Sequence, residues 1–131
     1  MHKRILILVH LVVPLFILHL LEEVATGFYT TDASIRAISL TLDLPLVTTY
    51  LLTQIIAFIF FGILLVLVLK KKIIPFFLVL VLNVILLYEF SHTFAALRAG
   101  EYVSGFVTGT LLGVLGLGLA YTLIKGAVKG E

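Results

Sequence analysis

Four apolar runs, at about 5–27, 46–69, 73–97 and 102–124, leave this chain little else from which to build. Each is close to the ~20 residues that a helix, rising ~1.5 Å per residue, needs to cross the hydrocarbon core of a bilayer. With 62% of its 131 residues hydrophobic and only 12% charged, the chain cannot form an ordinary soluble domain. The expected fold is all-α: a four-helix transmembrane bundle making a single integral membrane domain over 1–131. The first run follows "MHKR" as a secretory signal would. It is too long for one, lacks a small-residue cleavage pattern and carries acidic residues, so it reads as a retained helix. The absence of cysteine excludes disulfides, thiolate metal sites and cysteine nucleophiles.

Lysine and arginine set the orientation, because short loops rich in them stay on the cytoplasmic side. Lys3 and Arg4 precede the first run, Lys70, Lys71 and Lys72 separate the second from the third, and Lys125 and Lys129 follow the fourth. The other two loops hold only Arg36 and Arg98, beside Asp32, Asp43 and Glu101. Both termini are therefore expected to be cytoplasmic, and the expected setting is the cell membrane of a prokaryote. The net charge of +2 comes from juxtamembrane residues, which suits anionic lipid headgroups; no basic, aromatic-interleaved surface for nucleic acid is present.

On this topology the polar residues of all four spans fall at one depth, near the outer end. Glu22 and Glu23 lie in the outer third of the first span, and "YEFSHTF" brings Glu89 and His92 to a similar level in the third. Tyr50, Thr53 and Gln54 start the second span, and Tyr102, Ser104 and Thr108 start the fourth. Residues three and four apart share a helix face. His19, Glu22 and Glu23 form one such set, Tyr50, Thr53 and Gln54 a second, and Tyr88, Glu89 and His92 a third. Asn83 points away from His92, as an interhelical hydrogen-bonding residue would.

Two imidazoles and three carboxylates turned toward one interior are metal-ligand chemistry, suited to zinc, iron or manganese. Glu89-x-x-His92 has the form used by dinuclear carboxylate bundles, and His19-x-x-Glu22 is the same pair reversed. Such sites use two further glutamates, and only Glu23 is to spare, so a single ion and an incomplete two-ion site both fit. The expected ligands to a divalent ion, zinc or iron, are His19, Glu22, Glu89 and His92. Glu23 is the expected catalytic base, and Tyr50, Thr53, Gln54, Tyr88 and Tyr102 would orient ligands or substrate. The metal-free alternative is a polar network that locks helix packing, since a charged group in hydrocarbon costs on the order of 3 kcal/mol unless paired.

These residues carry a family resemblance. "HLLEE" at 19–23, His92 on a later helix and "EYVSGFVTG" at 101–109 resemble the HXXEE-motif membrane proteins, a group of small four-helix proteins. In that group the later motif runs Tyr-x-Pro-Gly and then Val-Thr; here Tyr102-Val103-Ser104-Gly105 departs from it at Ser104. The resemblance implies functional roles for His19, Glu22, Glu23 and His92, and implies no particular reaction.

Between the first two spans, Asp32 is placed to cap a short amphipathic helix carrying Ile35, Ile38 and Leu42 and ending before Pro45, expected to lie at the outer interface. Gly105, Gly109 and Gly113 recur every four residues, followed by Gly116 and Gly118, and allow close helix approach within the bundle or across a homodimer. "GVLGLG" at 113–118 lies inside an apolar span with no preceding strand, so it is not a nucleotide loop. The function expected is that of a metal-dependent membrane hydrolase, isomerase or oxidase acting on a lipid-like or small apolar substrate in contact with membrane lipid. Proton or ion relay is one alternative, and a non-catalytic accessory subunit is another.

Overall fold

A computed structural model describes residues 2–70 and 76–129, and every regular element in them is helical. Helix α1 spans His2–Thr26, α2 Ala33–Leu42, α3 Leu46–Lys70, α4 Phe76–Tyr88, α5 Phe90–Ala99 and α6 Phe106–Lys129, with a short 3-10 turn at Phe28–Thr30 after α1. Lys71 and Lys72, part of the charge that orients the chain, lie outside the described residues, as do residues 73–75 of the third apolar run. Four helical stretches are long and apolar enough to cross a membrane: Arg4–Thr26, Leu46–Leu64, Phe77–Ala99 and Phe106–Gly126. The protein is an all-α, membrane-type bundle.

The helix ends follow from local chemistry. Gly27 stops α1 by taking the left-handed conformation at φ 74°. The Asp32 side chain accepts a hydrogen bond from the Ile35 amide at 2.8 Å and so caps α2. That helix ends at Asp43, φ 51°, and Pro45 opens the next. The third span carries a one-residue irregularity at Glu89, which keeps right-handed helical backbone (φ −61°, ψ −18°) while the His92 amide reaches its carbonyl at 3.3 Å and α5 begins.

Helix α6 is the centre of the bundle, with α1, α4 and α5 packed along it and α3 against α4 and the α2 side. Their core includes Val9 and Val12 of α1, Phe61 and Leu64 of α3, Leu82 and Leu86 of α4, and Leu112 and Leu119 of α6. Because lipid tails are as apolar as leucine, close packing rather than exclusion from water holds such helices together. The glycines of α6 serve this within the chain. A Cβ at Gly109 would lie 3.0 Å from the Glu89 carbonyl oxygen, one at Gly113 2.7 Å from the Phe90 ring, and one at Gly116 3.1 Å from Leu86. Asn83 departs from expectation: it is buried among the apolar residues of α4, and its Oδ1 has no hydrogen-bond partner among the described residues.

Candidate metal centre

One turn of α1 and the α4–α5 junction bring four donor groups together. His19 and Glu23, four residues apart on α1, face Glu89 at the junction and His92 on the first turn of α5. His19 Nε2 lies 3.1 Å from Glu89 Oε2 and 3.5 Å from Glu23 Oε1. His92 Nε2 lies 3.7 Å from Glu89 Oε2 and 3.6 Å from Glu23 Oε1. Metal–donor bonds of about 2.0–2.1 Å in a tetrahedral arrangement place donors about 3.3–3.4 Å apart, close to these histidine–carboxylate distances. The donor atoms that all lie within 4.8 Å of one another are those of His19, Glu89 and His92, with Glu23 at the edge of the set. His19, Glu23 and Glu89 are buried, and the His92 side chain is 11% exposed. His19, Glu89 and His92 alone form a set able to hold an ion.

The far nitrogen of each imidazole is already committed. His92 Nδ1 lies 2.7 Å from the Ser104 carbonyl oxygen, which can only accept, so that nitrogen carries the proton. His19 Nδ1 lies 2.8 Å from the Thr108 hydroxyl, which donates its own hydrogen to Glu22 and so receives one from His19. Each Nε2 is thereby left as a lone pair aimed at the cluster, the tautomer a metal requires. Two lone pairs and two carboxylates turned toward one point, away from water, need about two positive charges to be stable. A divalent cation supplies them, and so would two protons.

Glu22, expected among the ligands, is elsewhere. Its Oε1 accepts from the Tyr102 hydroxyl at 2.5 Å and the Val107 amide at 3.0 Å, and its Oε2 from the Thr108 amide at 2.8 Å. The reason is the start of α6, whose first amides have no partner in their own helix and whose capping position is Gly105, without a side chain. Glu22 caps that helix from α1, where its charge also meets the positive end of the helix dipole. Glu23 takes its place facing the imidazoles.

Gly105 holds the floor of the site. The Phe106 amide donates to the Val103 carbonyl at 3.0 Å and Gly105 adopts φ 80°, so residues 103–106 form a turn that needs positive φ at its third position. A Cβ at Gly105 would lie 2.8 Å from His92 Nδ1 and 2.9 Å from His19 Cε1. Ser104 occupies the second position of this turn, where proline is favoured, and its hydroxyl bonds to that of Thr26.

The remaining expected residues divide. Tyr50, fully buried, donates to Glu23 Oε2 at 2.6 Å and turns the other oxygen toward the imidazoles. Tyr102 holds Glu22, and partial burial together with that carboxylate pushes its phenol up to about 12, so it stays a donor at neutral pH. Gln54 lines the cavity beside the cluster. Thr53 is spent on its own helix, donating to the Tyr50 carbonyl at 2.7 Å. Tyr88 is 72% exposed at the cavity rim and makes no side-chain hydrogen bond to the cluster among the described residues. Sequence reasoning missed Thr108 and Ser104 as histidine partners and Gly105 as the floor. It also missed Phe28, whose ring lies 5.5 Å from that of His92 and 6.1 Å from that of Tyr50. The Thr–Gly pair at 108–109 and the glycine after Ser104 were the available signals.

A family model described as "Protein of unknown function with HXXEE motif" matches residues 10–120, a stretch that includes every residue of the cluster. The chain belongs to the HXXEE family. The motif letters are His19, Glu22 and Glu23, and in this member of the family the first and last meet Glu89 and His92 while the middle one caps α6. Neither the curated proteins nor the solved structures yield a match.

Proposed function

We propose that the cluster binds a divalent metal ion and that the protein is a metal-dependent membrane enzyme acting on a lipid-like substrate. The observation that carries this reading is the meeting of two imidazole lone pairs and two carboxylates at 3.1–3.7 Å. His19, Glu89 and His92 would hold the ion. Zinc fits such a nitrogen and oxygen set, and iron is the alternative, through two histidines and one carboxylate. A bound ion would supply Lewis acidity toward a substrate oxygen.

The chain's own groups do the rest. Glu22 and Thr108 fix the His19 tautomer, and the Ser104 carbonyl fixes that of His92. Glu23, pinned through one oxygen by Tyr50 and facing both imidazoles with the other, is the group placed beside the ion to take a proton when a substrate enters. Phe16 and Phe28 pack against the imidazoles of His19 and His92. The relay alternative needs polar groups continuing through the bundle, and among the described residues Asn83 is buried below the cluster within a core that otherwise includes Val12, Phe61, Leu86 and Leu112. The lysine and arginine distribution further supports cytoplasmic termini, with the cluster toward the outer leaflet.

Metal analysis of freshly purified protein tests the reading. The wild type should carry about one zinc or iron per chain, as a site with one set of donors requires. H19A, H92A and E89A should lose the ion, and E23Q should keep it. A wild-type protein without stoichiometric metal would sink the proposal.

A further inference from the structure

The His/Glu cluster lies in the wall of a cavity of about 470 Å³ between α1, α3 and the α4–α5 junction. A second cavity of about 260 Å³ continues from it, and the two share Phe16, Gln54, Ala57, Phe58 and Ile85. On α3, Gln54, Ala57, Phe58 and Phe61 recur at helical spacing, so they make one stripe descending about 10 Å from the polar level toward the middle of the membrane. Phe61, buried and packed at a tilt against Phe16 with ring centroids 4.7 Å apart, lines the lower end. Phe60, 58% exposed, leaves the side of the groove open toward lipid.

The polar end is selective by charge. Among the described residues no lysine or arginine lines either cavity, whereas Glu23, Glu89 and Asp32 all line the upper one. A divalent ion would balance the two glutamates and leave Asp32, so an anionic headgroup would find no attraction beyond the ion itself and a like charge beside it. A hydroxyl or carbonyl oxygen carries no such penalty. Gln54, where the two cavities join, offers an amide donor and acceptor for it.

We propose that the site takes a neutral single-chain amphiphile, its hydroxyl or carbonyl oxygen among His19, Glu23, Glu89 and His92 and its alkyl chain in the groove between α3 and α4. This rests on the cluster being the reacting site. Lipid tails and the groove are equally apolar, so preference for the groove comes from shape and from the anchored head, and blocking the groove should remove it.

The test uses purified full-length protein and a monoacylglycerol bearing a diazirine at mid-chain, with lysophosphatidic acid of the same chain as its anionic twin. Photolabelling by the neutral probe should map to Ala57, Phe58, Phe60 and Ile85. A57F fills the groove at a lipid-exposed position and should cut labelling at least about tenfold, equivalent to 1.4 kcal/mol of binding, without changing metal content. I56F, on the neighbouring lipid-facing surface, should leave labelling unchanged. Label spread evenly over Ile56, Ile59 and Ile63, or equal labelling by the phosphate probe, would overturn the proposal. Groove labelling by the neutral probe in protein that holds no metal would sustain it while removing the metal reading.

Discussion

Adjacent glutamates with different tasks are the central fact at the scale of single residues. Glu22 and Glu23 follow His19 by three and four positions, and helical geometry alone puts both on its face. What separates them is the unpartnered start of α6, a contact across more than eighty residues that no local pattern contains. The donor types and the histidine pair were therefore legible in the chain, and the assignment of the two carboxylates was not. Thr108 links the two tasks, since it receives a hydrogen from His19 and gives its own to Glu22. T108V keeps the shape of the side chain and removes both bonds. Loss of such a ligand-orienting partner typically costs about 10–100-fold in metal affinity, and that is the expected loss, read by competition with a chromogenic chelator. E22Q should fall in the same direction, because an amide cannot accept from the Tyr102 hydroxyl, two amides and the Thr108 hydroxyl as well as a carboxylate does. Unchanged affinity in both variants would separate Glu22 and Thr108 from the site.

At the scale of elements, two short interruptions place the donors. Hydropathy reads the third span as continuous, and neither glycine nor proline marks Glu89 as an irregularity. At that position Gly109 of α6 lets the Glu89 carbonyl approach closely, a contact that no pattern within the third span contains. The α5–α6 turn is different, because Ser104-Gly105 is local turn chemistry and the family resemblance already set proline and glycine there. This gives a paired prediction. S104P suits the second position of the turn and gives up the hydroxyl bond to Thr26, so a gain of about 0.4–1 kcal/mol is set against a loss of about 0.5–1.5. Stability should change by less than about 1 kcal/mol, with metal retained. G105A forces a side chain into the left-handed region at a cost of about 1–2 kcal/mol and drives its Cβ into both imidazoles, so metal binding should fail. Thermal unfolding in detergent with metal analysis reads both, and a G105A protein that holds metal normally would refute this account of the floor.

At the scale of the whole molecule, most of the chain's acidic residues gather in the same segments as the His/Glu site, and most of its lysines and arginines lie in the others. In the sequence, seven of the nine lysines and arginines, at 3, 4, 70, 71, 72, 125 and 129, fall before the first apolar run, between the second and third, and after the fourth. Arg36 and Arg98 share the site's end with Asp32, Asp43 and Glu101, and Arg36 Nε donates to the Thr30 carbonyl at 2.9 Å. This asymmetry was readable before any fold, because it depends only on counting charges between apolar runs. Helix α2, which exposes Leu40 and Leu42, lies at the same end and adds an apolar surface there. The chain contains no cysteine, so a single introduced one reports its side without background. T41C on α2 should react in intact cells with a maleimide that cannot cross membranes, and K125C should react only after permeabilisation. The site would then open toward the outer leaflet, and a lipid-like substrate would reach it laterally without crossing the lysine-rich inner surface. The reverse labelling pattern would put the cluster on the cytoplasmic side, where the same four donors would draw metal and substrate from the inner leaflet.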